Sequence, residues 1–392
     1  MKVSFIANDK IGSNKKMYRY ISLILLLNCA TFSDDCVLLM GRNDEIVNVH
    51  AENISMREEE IVITLRKNYY EVDVTMDFFN SGAAENVQLG FPVNVYGRGL
   101  LFKDFNEYNF KSYINSKITP VHTNRRDTVY AELGGKGTLW FIRNVTFPAN
   151  SRTVSRVTYK ARYSGCNMEY AGYIFGTGRY WKGDIGKMTV VINHGDDVLI
   201  KDIGFGGSGD SYIETQEFFH GSFFGNIKAK SSKFIWEADG KYKYVFENVN
   251  PTSGNEEINI YVRTFDSGLY GEYDDPFGIH PEETWGYRID AEGTAFWIWS
   301  EYLLYKEPTD IRHYTKNQIR LFINFFSAIH GYDFKNQLYK KYFSKIENFY
   351  IFPDPNKEIK YKVNPDFSES VFNEIERKNV NYLLKLEKMI PK

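Results

Sequence analysis

Between residues 56 and 164 apolar side chains recur at every second position, a period that commits this part of the chain to β-structure. The clearest run is Tyr70, Val72, Val74, Met76 and Phe78, alternating with Glu71, Asp73, Thr75 and Asp77. Successive side chains of a strand point to opposite faces, so the run buries one face and wets the other. Ile61, Ile63 and Leu65 alternate just upstream, and the Arg66-Lys67-Asn68 break reads as a hairpin turn. Val157, Tyr159, Ala161 and Tyr163 repeat the pattern, with Arg156, Thr158, Lys160 and Arg162 outside. One outer face is acidic and the other basic, which predicts that these two strands lie side by side.

Asn80-Ser81-Gly82 turns into a short strand that Pro92 is expected to close at Gly90-Phe91-Pro92. Residues 97–136, rich in Gly, Asn and aromatics, read as an irregular insertion. A second set of alternating runs follows at Met188/Val190/Ile192, Phe234/Trp236, Tyr242/Tyr244/Phe246 and Ile258/Ile260/Val262. Hairpin turns are expected at His194-Gly195-Asp196-Asp197 and Asp239-Gly240. The regions 45–165 and 166–265 therefore build antiparallel β-sandwich, either one large sandwich or two small ones. Aromatic residues make up 17% of the chain, and strand cores are their expected place.

Residues 266–296 lack periodicity and read as a linker. From 297 to 392 the pattern is helical, so the fold class is α+β, multidomain, with a small helical C-terminal domain. Thr315 and Gln318 form a T-x-x-Q capping box, and apolar residues follow at 319, 322, 323, 326 and 329. Gly331 falls where a helix adopts a left-handed residue to stop. A last helix carries Phe372, Ile375, Tyr382, Leu383 and Leu386, with a capping box expected at Asp366-Phe-Ser-Glu369.

The N-terminus has the layout of an export signal, residues 1–33, with Met17 as an alternative start. Lys15, Lys16 and Arg19 precede the apolar run Ile21–Leu27, which is too short to cross a bilayer. Cleavage after Ser33 is one scheme; lipidation of Cys29, in a relaxed Leu26-Leu27-Asn28-Cys29 box, is the other. Cys36 and Cys166 would be able to pair in an oxidising compartment. No later stretch is apolar enough for a transmembrane helix, leaving a lipid anchor as the membrane link. Loss of residues 1–33 takes the net charge from −2 to about −6, a balance that argues against nucleic acid as a partner.

Chemistry-bearing motifs are sparse. Gly204-Phe-Gly206-Gly-Ser-Gly209 matches a dinucleotide fingerprint in letters, but no apolar helical stripe follows, and it reads as a loop. The seven histidines and three cysteines show no zinc-ligand spacing. Asp274-Asp275 and Glu282-Glu283 lack the register of a calcium loop. No nucleophile signature appears. The sequence thus assigns no catalytic residue, no metal and no cofactor. His330, at a helix C-terminus in an apolar segment, reads as a histidine bonding helix carbonyls or a buried side chain.

The segment Ile319–Phe343 resembles the YARHG domain, a module of exported bacterial proteins, and the likeness extends over about 297–390. Asn324, Ala328, His330, Gly331, Tyr332 and Phe334 match its central motif; Tyr342, Phe343, the Phe349-Tyr350 pair with Pro353, Glu376 and Asn379 match farther on. Phe325, Ser327 and Ile329 stand where the family has Glu, Tyr and Arg, so a fork-shaped donor for anions is missing. The strand-rich region resembles uncharacterised regions preceding such domains, through Glu59 and its E-x-I-x-I start, the Tyr70–Asn80 strand, Gly90-Phe91-Pro92 and Gly178–Gly183. The resemblance implies an exported protein of the periplasm or cell surface and no particular activity. The expectation is a non-catalytic module binding an envelope glycan or envelope protein, with Asn324, His330, Tyr332, Trp297 and Trp299 as binding candidates. Gly331, Phe334, Tyr342, Phe343, Glu376 and Asn379 are structural candidates. A wall-acting hydrolase and a structural subunit of an envelope assembly are the alternatives; oligomeric state is open.

Overall fold

The computed structural model describes residues 31–32, 36–40, 46–48, 50–96, 105–127, 136–163, 169–207, 227–252, 256–264, 313–345, 349–351, 354–359 and 362–391. Three short strands come first, β1 (Thr31–Phe32), β2 (Cys36–Met40) and β3 (Ile46–Asn48). Three long ones follow, β4 (Ile54–Leu65), β5 (Tyr70–Asn80) and β6 (Glu85–Tyr96). Next are β7 (Lys111–Ile114), β8 (Lys117–Thr119), β9 (His122–Asp127), β10 (Lys136–Phe147) and β11 (Ser151–Ala161). Then come β12 (Glu169–Ile174), β13 (Ile185–Asn193), β14 (Val198–Gly207), β15 (Ser231–Ala238), β16 (Lys241–Val249) and β17 (Glu256–Thr264). The C-terminal part holds helices α1 (Lys316–Ile329) and α2 (Gln337–Lys345), the hairpin β18 (Phe349–Ile351) and β19 (Asp354–Ile359), and helix α3 (Glu374–Met389). The chain is thus α+β, strand-rich first and helical near its C-terminus.

The largest sheet has the order β15-β16-β13-β4-β5-β11-β7-β8. It draws strands from both alternating stretches of the sequence. A second sheet runs β3-β2-β6-β10-β9, with β1 also on β6, and a three-stranded sheet runs β12-β17-β14. One apolar core, including Phe78, Phe91, Phe147, Val190, Phe205 and Ile258, is shared by these three sheets. Trp181 is buried in it, its ring centroid 4.4 Å from that of Phe78.

The strands of opposite outer charge do pair. β11 runs antiparallel to β5 with Val157 opposite Val74 and Tyr159 opposite Val72. On the wet face Arg152 Nε donates to Asp77 at 2.7 Å and Arg156 Nε to Asp73 at 2.8 Å, each a diagonal cross-strand pair. β4 and β5 form the expected hairpin, closed by Arg66 N–H to Tyr69 C=O.

Several local expectations are corrected. The antiparallel pattern breaks at β13, which lies parallel to β4 with Val190 opposite Ile61. β13 reaches that position through a long connection rather than a hairpin, so either direction is open to it. Pro92 does not end its strand. On one edge of β6, β2 pairs at 88–90 and β1 at 93–94, so Pro92 sits between them where its missing N–H is not needed. The supposedly irregular 97–136 stretch contains β7, β8 and β9, turned through Asn115 and Ser116 at positive φ. The turn at 194–197 joins strands of different sheets rather than a hairpin, whereas Asp239-Gly240 does turn β15 into β16.

Thr315 caps α1 with the reciprocal Gln318 bond. The same end docks on the strands: Thr315 Oγ1 and Asn317 Nδ2 donate to Asp196, and Lys316 N–H donates to Asp239 at 2.9 Å. Beneath it, Tyr244 Oη and His313 Nε2 share a buried 2.6 Å hydrogen bond. The box expected at Asp366 is not the one that opens the last helix. Asn373 and Glu376 form that box, and Ser368 precedes only a single 3-10 turn.

Candidate functional site

Strand β17 alternates Ile258, Ile260 and Val262 into the core with Glu257, Asn259 and Tyr261 on the opposite face. Three of the cross-strand neighbours of that row are glycines. Asn259 lies between Gly172 of β12 and Gly204 of β14, and Glu257 lies between Ile174 and Gly206. A glycine in a strand interior marks a place where another group can approach the backbone closely. At the far end Tyr170 stands opposite Tyr261, with ring centroids 5.6 Å apart at 48°.

Asn259 Nδ2 donates to Glu257 Oε1 at 2.9 Å. Its Oδ1 is buried and has no hydrogen-bond partner among the described residues. An acceptor in that condition is costly unless something donates to it. Glu257 is only 7% exposed. Burial pushes its carboxyl up to about 7, against the smaller opposing effect of the Asn259 hydrogen bond. Glu256 plays a different part, its Oε1 accepting from Thr252 N–H and from Thr252 Oγ1. From the core side, Tyr70 Oη donates to Gly172 C=O at 3.1 Å and fixes the backbone of β12. Desolvation raises the Tyr70 phenol well above its usual range, so it stays a donor. The row thus combines a buried carboxyl, an amide oxygen with no hydrogen-bond partner among the described residues, and a pair of tyrosines in ring contact.

This row was not among the residues singled out from sequence. The alternation at 257–262 is visible there, but its glycine borders come from β12 and β14. The available signal was Gly204 and Gly206, two apart. They lie in strand β14 and not in a loop, which corrects the reading of Gly204–Gly209 over its first four residues.

A second polar surface lies on the outer face of the largest sheet. Thr75, Tyr113, Ser116, Val154 and Arg156 line a shallow depression there. The Arg156 guanidinium lies 5.6 Å from the Tyr113 ring centroid and is held by Asp73, which raises its already high pKa.

The residues carrying the family resemblance gather at the junction of α1 and α3. His330 caps α1, and its Nε2 lies 3.1 and 3.0 Å from the two carboxylate oxygens of buried Glu376. Glu376 Oε2 also accepts from Asn373 N–H at 2.8 Å, so one carboxylate joins the end of α1 to the start of α3. Gly331 has φ +80°, and a Cβ there would stand 2.3 Å from Lys362 C=O. Phe334 stacks on Phe343 at 5.0 Å and meets Tyr332 edge-on at 4.9 Å. Asn379 is fully buried and Asn324 half-buried. Trp297, Trp299, Cys29 and Cys166 lie outside the described residues, as do the side chains of Cys36 and Tyr342. Among the described residues no group of three or more His, Cys, Asp or Glu is placed to hold a metal ion, and no helix is long and apolar enough to cross a membrane.

No family model matches the chain, and no curated protein matches it. Among solved structures, a protein of Legionella pneumophila subsp. pneumophila str. Philadelphia 1, named "putative nutrient binding protein", is similar at 13% identity and a TM-score of 0.44. The alignment covers 92% of this chain and 98% of that one. A likeness at that score carries no argument about what this chain does.

Proposed function

We propose that this chain is an exported, non-catalytic binding module of a bacterial cell envelope, built as a β-sandwich followed by a YARHG-like helical domain at 297–392. The observation that carries the binding role is the Glu257–Asn259 row. A buried acceptor, Asn259 Oδ1, lies beside a desolvated carboxyl on a strand flanked by glycines. Such a buried polar pair suits a group that brings its own donors. Export rests on the leader-like N-terminus, and the envelope setting on the resemblance of 319–343 to an exported module. The His330–Glu376 junction is read as scaffold, because both partners are used within the helical part.

One observation favours a second reading. A carboxyl raised to about 7 is suited to general acid–base work, as a wall hydrolase would need. A single experiment separates these readings. The exported form is immobilised, incubated with solubilised envelope extract, and scored for retained glycan, retained protein and cleavage of purified wall. Retention without cleavage is expected. Cleavage that Glu257→Gln abolishes would replace binding by hydrolysis, protein retention alone would favour an assembly subunit, and no retention at all would sink the proposal.

A further inference from the structure

We infer that the seat of helix α1 on the strands is an acid-released latch: a second proton on the His194 ring lifts the first turn of α1 off residues 194–198 while the sheets stay folded. The latch is independent of the binding role proposed above. It is built around one carbonyl. His194 Nδ1 lies 3.1 Å from Gly195 C=O and 3.0 Å from Val198 C=O. Carbonyls only accept, so Nδ1 carries the hydrogen of the neutral ring and Nε2 is the lone-pair nitrogen. The same Val198 C=O accepts from Gln318 Nε2 at 2.9 Å, and the Oε1 of that side chain closes the capping box of α1. Asp196, two residues on from His194, holds Thr315 Oγ1 and Asn317 Nδ2. The His194 backbone is fixed as well. Its N–H donates to Gly240 C=O at 2.9 Å, and a Cβ on Gly240 would stand 2.3 Å from His194 C=O. The ring therefore sits where the β13–β14 turn, the β15–β16 hairpin and the first turn of α1 meet.

His194 Nε2 is buried and has no hydrogen-bond partner among the described residues. A second proton would place an N–H and a positive charge there, which burial disfavours. The charged and titratable groups of the seat are Asp196 and Asp197 on the same turn, Asp239 and Tyr242 at the β15–β16 hairpin, and His313 and Lys316 leading into α1. Asp196 and Asp239 are already engaged by Thr315, Asn317 and Lys316, and α1 presents the positive end of its dipole to them. Burial accordingly lowers the His194 pKa from its ordinary 6.5, against smaller opposing effects of the Gly195, Val198 and His313 carbonyls and the Asp196 charge. The seated form prefers the neutral ring. Its hold is complete above about pH 6.5 and weakens as the pH falls through the lowered value.

Native-state hydrogen exchange on the full chain at about pH 7.5 and about pH 5 reads the latch, with protection corrected for the intrinsic pH dependence of exchange. The N–H groups of Lys316, Gln318 and Ile319 are expected to lose protection at least about threefold in acid, while those of the β5–β11 pair keep theirs. His194→Asn keeps a side-chain donor near the two carbonyls but cannot titrate, and His194→Gln serves as its alternate. In either variant the α1 protection is expected to stay level; should one lack an unfolding midpoint, the other decides. His313→Gln retains a group able to bond Tyr244 Oη and is expected to keep the acid response. Level protection in wild type would overturn the latch. Equal loss across α1 and the β5–β11 pair would overturn it too, since that marks acid unfolding of the whole fold. An acid response retained by a folded His194 variant would assign the proton elsewhere and sink the inference.

Discussion

Burying Glu257 on the row beside Asn259 raises its proton affinity in the folded chain from the ordinary 4.5 to about 7. The folded protein therefore holds this proton more tightly than the unfolded chain does. Its stabilising contribution is complete below about pH 4.5 and is lost as the pH rises through about 7. The loss amounts to about 3 kcal/mol over that window. Glu257→Gln is expected to flatten this part of the profile. Urea unfolding of both proteins between about pH 4.5 and 7.5 measures it as a difference, and parallel profiles would contradict the burial argument. Little of this residue's importance is legible in the sequence. Glu257, Asn259 and Tyr261 look like any wet face of a strand. What distinguishes them is their burial or half-burial between β12 and β14, strands that only the folded chain brings alongside.

Helix α1 is the element the sequence describes most fully, because both of its ends are fixed by local bonds. Thr315 and Gln318 close the first turn within four residues. At the other end Tyr332 N–H reaches Ser327 C=O and Gly331 N–H reaches Ala328 C=O, the paired bonds of a Schellman stop. Gly331→Ala has to place a Cβ in the left-handed region and against Lys362 C=O. The left-handed strain alone costs about 1–2 kcal/mol, and the close approach adds to it. Thermal unfolding is expected to show a lower midpoint for this variant, and a change below about 0.5 kcal/mol would rule out the assigned role. Helix α3 shows where local pattern runs out. Asp366–Glu369 and Asn373–Glu376 have the same spacing of cap and acid. Only the second lies next to the buried stripe of Leu383 and Leu386, and only its acid meets His330. Strands β5 and β11 fall between these cases. Their partnership was legible because acidic and basic outer faces are complementary, whereas the arrival of β13 beside β4 carries no comparable local mark.

At the scale of the whole molecule, the strand order joins the two alternating stretches of the chain. β13 and β16 continue the largest sheet beyond β4, and the core is common to the three larger sheets. A chain ending after Ala161 would leave the backbone edge of β4 bare and lose the core contributions of Val190, Phe205, Tyr244 and Ile258. Such a fragment is expected to lack a cooperative unfolding transition by circular dichroism; a sharp transition would show that the first stretch folds alone.

The parallel β4–β13 pair also sets an order of events. Ile61 cannot find Val190 until everything between them has been synthesised, so the centre of the largest sheet is among its late-closing contacts. Pairings of such long sequence separation form slowly, because loop-closure entropy is lost before contacts compensate for it. During that interval the chain remains loosely folded, with the Ile54–Leu65 strand open on one edge. A chain held too long in that state risks edge-to-edge association with its own copies through the uncovered edge of the Ile54–Leu65 strand.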